Sequence, residues 1–165
     1  MDWKKHPAEP NTYLFEKQGQ PFGEIRFNAM LSTAECVFGD LRFRIEKKSF
    51  WACAPRIVLP DTSIKLMARS ESWHGHTQLL QVGTKIFKAR WQNAPSAELI
   101  VYEHDRKYPL LSVGLKSRGW RMFTELHVRD EAYAMPELPY LLAYAWYSFL
   151  PASKQGMDDI LVMVA

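Results

Sequence analysis

The sequence predicts a mainly β fold: an antiparallel barrel, closed or nearly closed, threaded by its own hydrophobic C-terminal helix. Three observations carry this. From Tyr13 to Arg129 the chain repeats one form, an alternating apolar and polar run, a short turn with Gly, Asp or Pro, and another alternating run, which is the pattern of strands joined by hairpins. No helical period separates these runs, which argues against a parallel βαβ arrangement. Beyond residue 137 comes a run, 138–150, that is apolar on every side. A sheet with polar alternate faces needs an apolar body to wrap, and a wholly apolar helix needs something to wrap it. A barrel around the helix satisfies both and shields the sheet edges.

Taken in order, residues 1–12 read as an extended N-terminal segment. The first hairpin joins 13–16 to 22–27 through Gln18-Gly19-Gln20-Pro21. Strands 34–38 and 41–48 meet across Gly39-Asp40, with Leu41, Phe43 and Ile45 on one face and Arg42, Arg44 and Glu46 on the other. Segments 56–59 and 63–69 flank Pro60-Asp61, 77–82 and 84–91 flank Gly83, and 97–103 and 108–116 flank His104-Asp105-Arg106-Lys107. The last, 120–129, sets Trp120, Met122, Leu126 and Val128 against Arg121, Glu125, His127 and Arg129. About eleven strands at this spacing mark an all-β sandwich or barrel. Pro136 and Pro139 sit where a first helical turn tolerates proline, and Pro151 is expected to end a central helix at 137–150. That run is shorter than the about 20 residues a bilayer crossing needs, so it reads as a core helix, with no transmembrane span. The tail from Met157 to Val164 reads as a last strand, in preference to a docked extension, and residues 1–165 as a single domain.

With 47% hydrophobic and 24% charged residues, the chain is neither disordered nor fibrous. Nine Phe, six Trp and seven Tyr demand a large core. The net charge of +3 permits an anionic partner without demanding one, and is too small for a dedicated nucleic-acid domain. Cys36 and Cys53 form no CxxC pair and lie in apolar stretches, which suits buried, reduced thiols. The first residues carry no apolar signal core and the chain has no Asn-x-Ser/Thr sequon, so a cytoplasmic protein is expected, free or peripheral at a membrane.

The hairpin 99–113, the Trp-initiated strand 120–128 and the apolar segment 141–147 close behind it resemble, in order and polarity, the tubby C-terminal-like superfamily. That superfamily takes in tubby domains, phospholipid scramblases and the plant LURP-one-related proteins. The resemblance covers residues 13–150 and implies a barrel of about twelve strands around a hydrophobic helix. It also implies a binding module for phosphoinositides or membrane surfaces. The chain is shorter than the tubby pattern, and it lacks the Cys-rich stretch and the Asp-x-Asp-x-Asp-Gly calcium loop of scramblases, so lipid transport is not expected.

The chemistry-bearing residues are mostly basic. Arg42 and Arg44, Lys65 and Arg69, and Lys88 and Arg90 are spaced two or four apart, so each pair projects from one face of its strand. Should those strands be neighbours, the six would converge into a site for an anionic lipid headgroup, since forked guanidinium donors match phosphate oxygens. His74-Gly75-His76 is the one paired-histidine word; His6, His104 and His127 are scattered, so no metal site and no cofactor is expected. Nucleophile elbow, phosphate loop, dinucleotide fingerprint and zinc-protease words are all missing, which favours a non-enzymatic binding module. Its expected partners are an anionic lipid or a protein at a membrane surface; the alternative is a small-ligand carrier or an enzyme using the barrel interior. Trp73, Trp91, Tyr102 and Trp120 fall at core spacing, so nucleic-acid stacking is not expected.

Overall fold

A computed structural model describes the backbone of residues 1–28, 30–47, 54–71, 76–93, 96–105, 108–118 and 121–163, and the side chains of these other than 118, 121, 122 and 151–163. The strands are β1 (Asp2–Lys5), β2 (Thr12–Lys17), β3 (Gln20–Phe27), β4 (Thr33–Phe38), β5 (Leu41–Lys47) and β6 (Pro55–Val58). They continue as β7 (Ile64–Ser70), β8 (Thr77–Val82), β9 (Lys85–Gln92), β10 (Glu98–Glu103), β11 (Pro109–Arg118) and β12 (Arg121–Val128). A 3-10 turn, Asp130–Ala134, leads into α1 (Leu138–Met163). All 12 strands belong to one sheet whose spatial order is the sequence order, each pair antiparallel. The sheet curls into a nearly closed barrel around α1.

Alternation decides which side chains meet the helix. Ile25 and Phe27, Ala34 and Cys36, Phe43 and Ile45, Phe87 and Ala89, and Leu111 and Val113 are buried at period two, and the residues between them face out. Gly23 belongs to this inner packing, because a Cβ there would overlap the ring of Phe38, itself stacked on Phe43 at 5.9 Å. From Leu141 to Tyr147 every residue of α1 is buried, so the helix is surrounded rather than laid on one face. Its rings meet strands on all sides: Tyr140 with Phe43 of β5, Trp146 with Trp3, Tyr13 and Phe15 of β1 and β2, Tyr147 with Phe27 of β3, and Phe149 with Trp91 of β9.

Two tyrosines fix the helix by hydrogen bonds. The Tyr144 hydroxyl donates to Gln78 Oε1 on β8, and Tyr147 donates to the carbonyl of Ser32 at 2.6 Å. Burial raises both phenols, that of Tyr147 to about 12, so both stay protonated donors. Burial also raises the thiol of Cys36, with Glu35 adding to the shift, as an inert core thiol requires.

Four sequence expectations change. The segment 1–12 is not merely extended: Asp2–Lys5 pairs with β2, and Trp3 turns inward. Pro151 does not end the helix, whose backbone stays helical to Met163. A proline removes one backbone donor, and the helix bridges that loss here. The tail is therefore helix and not a last strand; Met157, Ile160 and Leu161 fit the helical spacing as well as they fit a short apolar strand. The twelfth strand lies at the opposite end of the chain from the one expected. Finally, Tyr102 pairs with Lys88 on the outer side of β10 and is not a core ring.

Candidate functional site

The six basic residues do not form one cluster. β5, β7 and β9 alternate with β6 and β8, so the pairs sit two strands apart, about 10 Å from one to the next. They divide into three groups.

Arg42 and Arg44 face out from β5 and line a cleft of about 400 Å³ with Glu35 and Val37 of β4 and the β6–β7 turn. Val58 is the floor: it pairs with Arg44 on the outer side yet is buried beneath that turn. The turn is held by Asp61, whose Oδ1 accepts from the backbone and hydroxyl of Ser63 at 2.9 and 2.6 Å. Arg44 bonds Glu46 Oε2 at 2.9 Å, while Arg56 of β6 bonds Oε1 at 2.6 Å. The Arg56 hydrogen bond, and then Arg44, hold the Glu46 carboxyl below the usual range.

A carboxyl depressed in the folded state stabilises the fold above its unfolded pKa, and the benefit is lost as pH falls through the folded value. Glu46→Gln is accordingly expected to cost about 1 kcal/mol in urea unfolding at pH 7 and progressively less at a lower pH, as the folded carboxyl takes up its proton. An unchanged gap at the lower pH would show that the pair of arginines is not its source.

Lys65 is carried away from the others by a β-bulge. Ile57 pairs with Leu66 and Val58 with Ile64, leaving Lys65 as the extra residue. Its Nζ lies 5.5 Å from the ring centroid of Tyr140 at one mouth of the barrel.

Arg69, Lys88 and Arg90 share the outer face of β7, β8 and β9. Arg69 pairs with Leu79 and Leu79 with Lys88, making one cross-strand row. Met67, Gln81 and Ile86 make the row beside it, with Met67 39% and Ile86 46% exposed. Arg90 pairs with Thr77. No carboxylate stands among the outward residues of these three strands; Glu71, just past β7, pairs with Lys88 at 2.9 Å. The exposed Met67 and Ile86 are what the sequence reading missed. In the alternating pattern they occupy the same phase as the basic residues, and that is the signal that could have found them.

His74, Gly75, Cys53, Trp73 and Trp120 lie outside the described residues. Among the described residues no group of three or more His, Cys, Asp or Glu is placed to hold a metal ion, and no helix is long and apolar enough to cross a membrane. No family model matches the chain, and neither a curated protein nor a solved structure matches it.

Proposed function

We propose that the chain is a non-enzymatic binding module of the tubby-like kind that docks on an anionic phospholipid surface on the cytoplasmic side of a membrane. The observation that carries this reading is the outer face of β7–β9, where Arg69, Lys88 and Arg90 stand beside exposed Met67 and Ile86. Cations near a charged leaflet are attracted by lipid headgroups, and adjacent apolar side chains enter the boundary between headgroups and acyl chains. The cleft at Arg42 and Arg44 adds a second place for a phosphate oxygen, with Glu35 and Glu46 limiting its net charge. The barrel around a buried helix is the layout that the tubby-like resemblance implies, which supports the family reading. Because rings of α1 fill the axis, carriage or catalysis in the barrel interior has less in its favour.

Co-sedimentation with phosphatidylcholine vesicles, with and without phosphatidylserine, tests the proposal across a salt series. Binding is expected only with the anionic lipid and should weaken as salt rises. At about 1 kcal/mol per cation near the surface, the double variant Arg69→Gln, Arg90→Gln is expected to bind roughly 30-fold more weakly. Binding that ignores both salt and lipid charge would overturn the membrane reading, and no binding at all would turn the face over to a protein partner.

A further inference from the structure

Across the outer face of β7–β10, cations and apolar side chains take turns. Arg69 pairs with Leu79, Leu79 with Lys88, and Lys88 with Tyr102, so in this cross-strand row a half-buried apolar residue separates one cation from the next. In the row beside it Arg90 stands between Thr77 and Ile100, and Ile100 is only 8% exposed although it lies on the outer side. The row on the other side, Met67, Gln81 and Ile86, carries no charge.

Strand geometry sets the spacing. Arg69 and Lys88 are two strands apart, about 10 Å, and Lys88 and Arg90 are two residues apart along β9, about 7 Å. Because the sheet curls around α1, its outer side is convex, and side chains that leave it diverge. A polyphosphorylated headgroup is gripped in the opposite way, by forked donors that converge on one group of oxygens.

The cations also differ in the charge they present. Arg69 and Arg90 are exposed and have no carboxylate partner among the described residues, whereas Lys88 bonds Glu71 at 2.9 Å. The face therefore offers two free charges with apolar side chains beside them. The concave alternative, the cleft at Arg42 and Arg44, is lined by Glu35 and has Glu46 bonded to Arg44, so a headgroup with several phosphates would meet carboxylates there.

We propose that the β7–β9 face reads the charge density of a membrane and not the identity of one headgroup. Arg69 and Arg90 each meet a different lipid, Met67 and Ile86 enter between headgroups, and Glu71 sets the strength of the attraction by neutralising Lys88. The proposal rests on the membrane reading above and narrows its ligand to anionic lipids in bulk.

Three vesicle preparations test it: phosphatidylcholine mixed with phosphatidylserine, with phosphatidylglycerol, or with phosphatidylinositol bisphosphate, each adjusted to the same zeta potential. Co-sedimentation is expected to give affinities within about threefold of one another and the same fall with salt. Glu71→Gln frees Lys88 and should tighten binding to all three by about fivefold. Glu71 is exposed and lies just past β7, so its replacement leaves the core untouched. A wider spread among the three lipids, displacement by micromolar inositol trisphosphate, or a Glu71→Gln gain that is absent or confined to one lipid would overturn the proposal and leave membrane docking standing. Failure to bind any of the three would overturn the docking reading itself, and the proposal with it.

Discussion

Trp146→Asp is expected to give no cooperatively folding protein, and Leu142→Asp the same. Both side chains are fully buried in the stretch of α1 that the sheet surrounds. Trp146 touches three rings, Trp3 at 4.8 Å, Phe15 at 5.1 Å and Tyr13 at 5.4 Å between centroids. Deleting a buried Trp side chain costs about 3 to 5 kcal/mol by itself. The introduced carboxyl must then either remain ionised without a partner or take up a proton, at a further cost of several kcal/mol. A domain of this size has roughly 5 to 15 kcal/mol of stability in total, so the sum removes most or all of it. Two milder variants grade the effect. Leu142→Ala should lower stability by about 2 to 5 kcal/mol while leaving a cooperative urea transition. Trp146→Phe keeps a ring and removes an indole donor that has no hydrogen-bond partner among the described residues, and should cost far less than the aspartate. Soluble aspartate variants with sharp melts and native tryptophan fluorescence would mean that the helix is not the axis of the barrel.

That axis was legible in the sequence because both of its parts carry strong, mutually dependent patterns. Period two survives in nearly every strand, as in Phe43 and Ile45 buried beside exposed Arg42 and Arg44, and a helix apolar on all faces has few alternatives to enclosure. What the pattern could not register was information that depends on distance through space. Asp2-Trp3-Lys4-Lys5 is too short and too polar to read as a strand, and it becomes one only because the edge of β2 is there to pair with it. The helical tail was lost for a related reason: Pro151 is a stop signal in local terms, and local terms do not decide whether a helix continues past it. For the basic residues, strand phase correctly sent Arg42, Arg44, Arg69, Lys88 and Arg90 outward. Their grouping depended on strand order, and an uninterrupted meander places a strand between each pair and the next. Lys65 left the set altogether through a bulge, a one-residue offset between the pairs Ile57–Leu66 and Val58–Ile64 that has no strong signature in the sequence.

Trp3→Ala is expected to open the barrel along one line. β1 and β12 are the two ends of the meander and share no strand pairing, so their backbone edges face each other across a seam. Trp3 spans it: its Nε1 donates to Thr124 O at 2.9 Å, and its ring packs on Trp146 and, at 6.0 Å, on Tyr13. Within a strand the N–H and C=O of one residue point the same way, and residues two apart repeat that direction. The bond to Thr124 therefore identifies Thr124 and Leu126 as residues whose backbone groups face the seam. Removing the indole should cost about 3 kcal/mol, the low end for a large ring since Trp3 is only partly buried. Hydrogen exchange is expected to accelerate most at the β12 amides bonded to β11, those of Glu125 and His127, and across β1, with β5 and β6, well away from the seam, changing only through the global loss of stability. A freed strand edge also invites pairing with another chain, so the variant should self-associate at concentrations where the wild type does not. Trp3→Phe separates the two contributions: the ring contact with Trp146 is kept and the hydrogen bond is lost, for about 1 kcal/mol and a smaller rise in exchange along β12. Should Trp3→Ala leave exchange in β12 unchanged while lowering global stability, the indole would be a packing residue alone and the seam would owe its closure to other contacts.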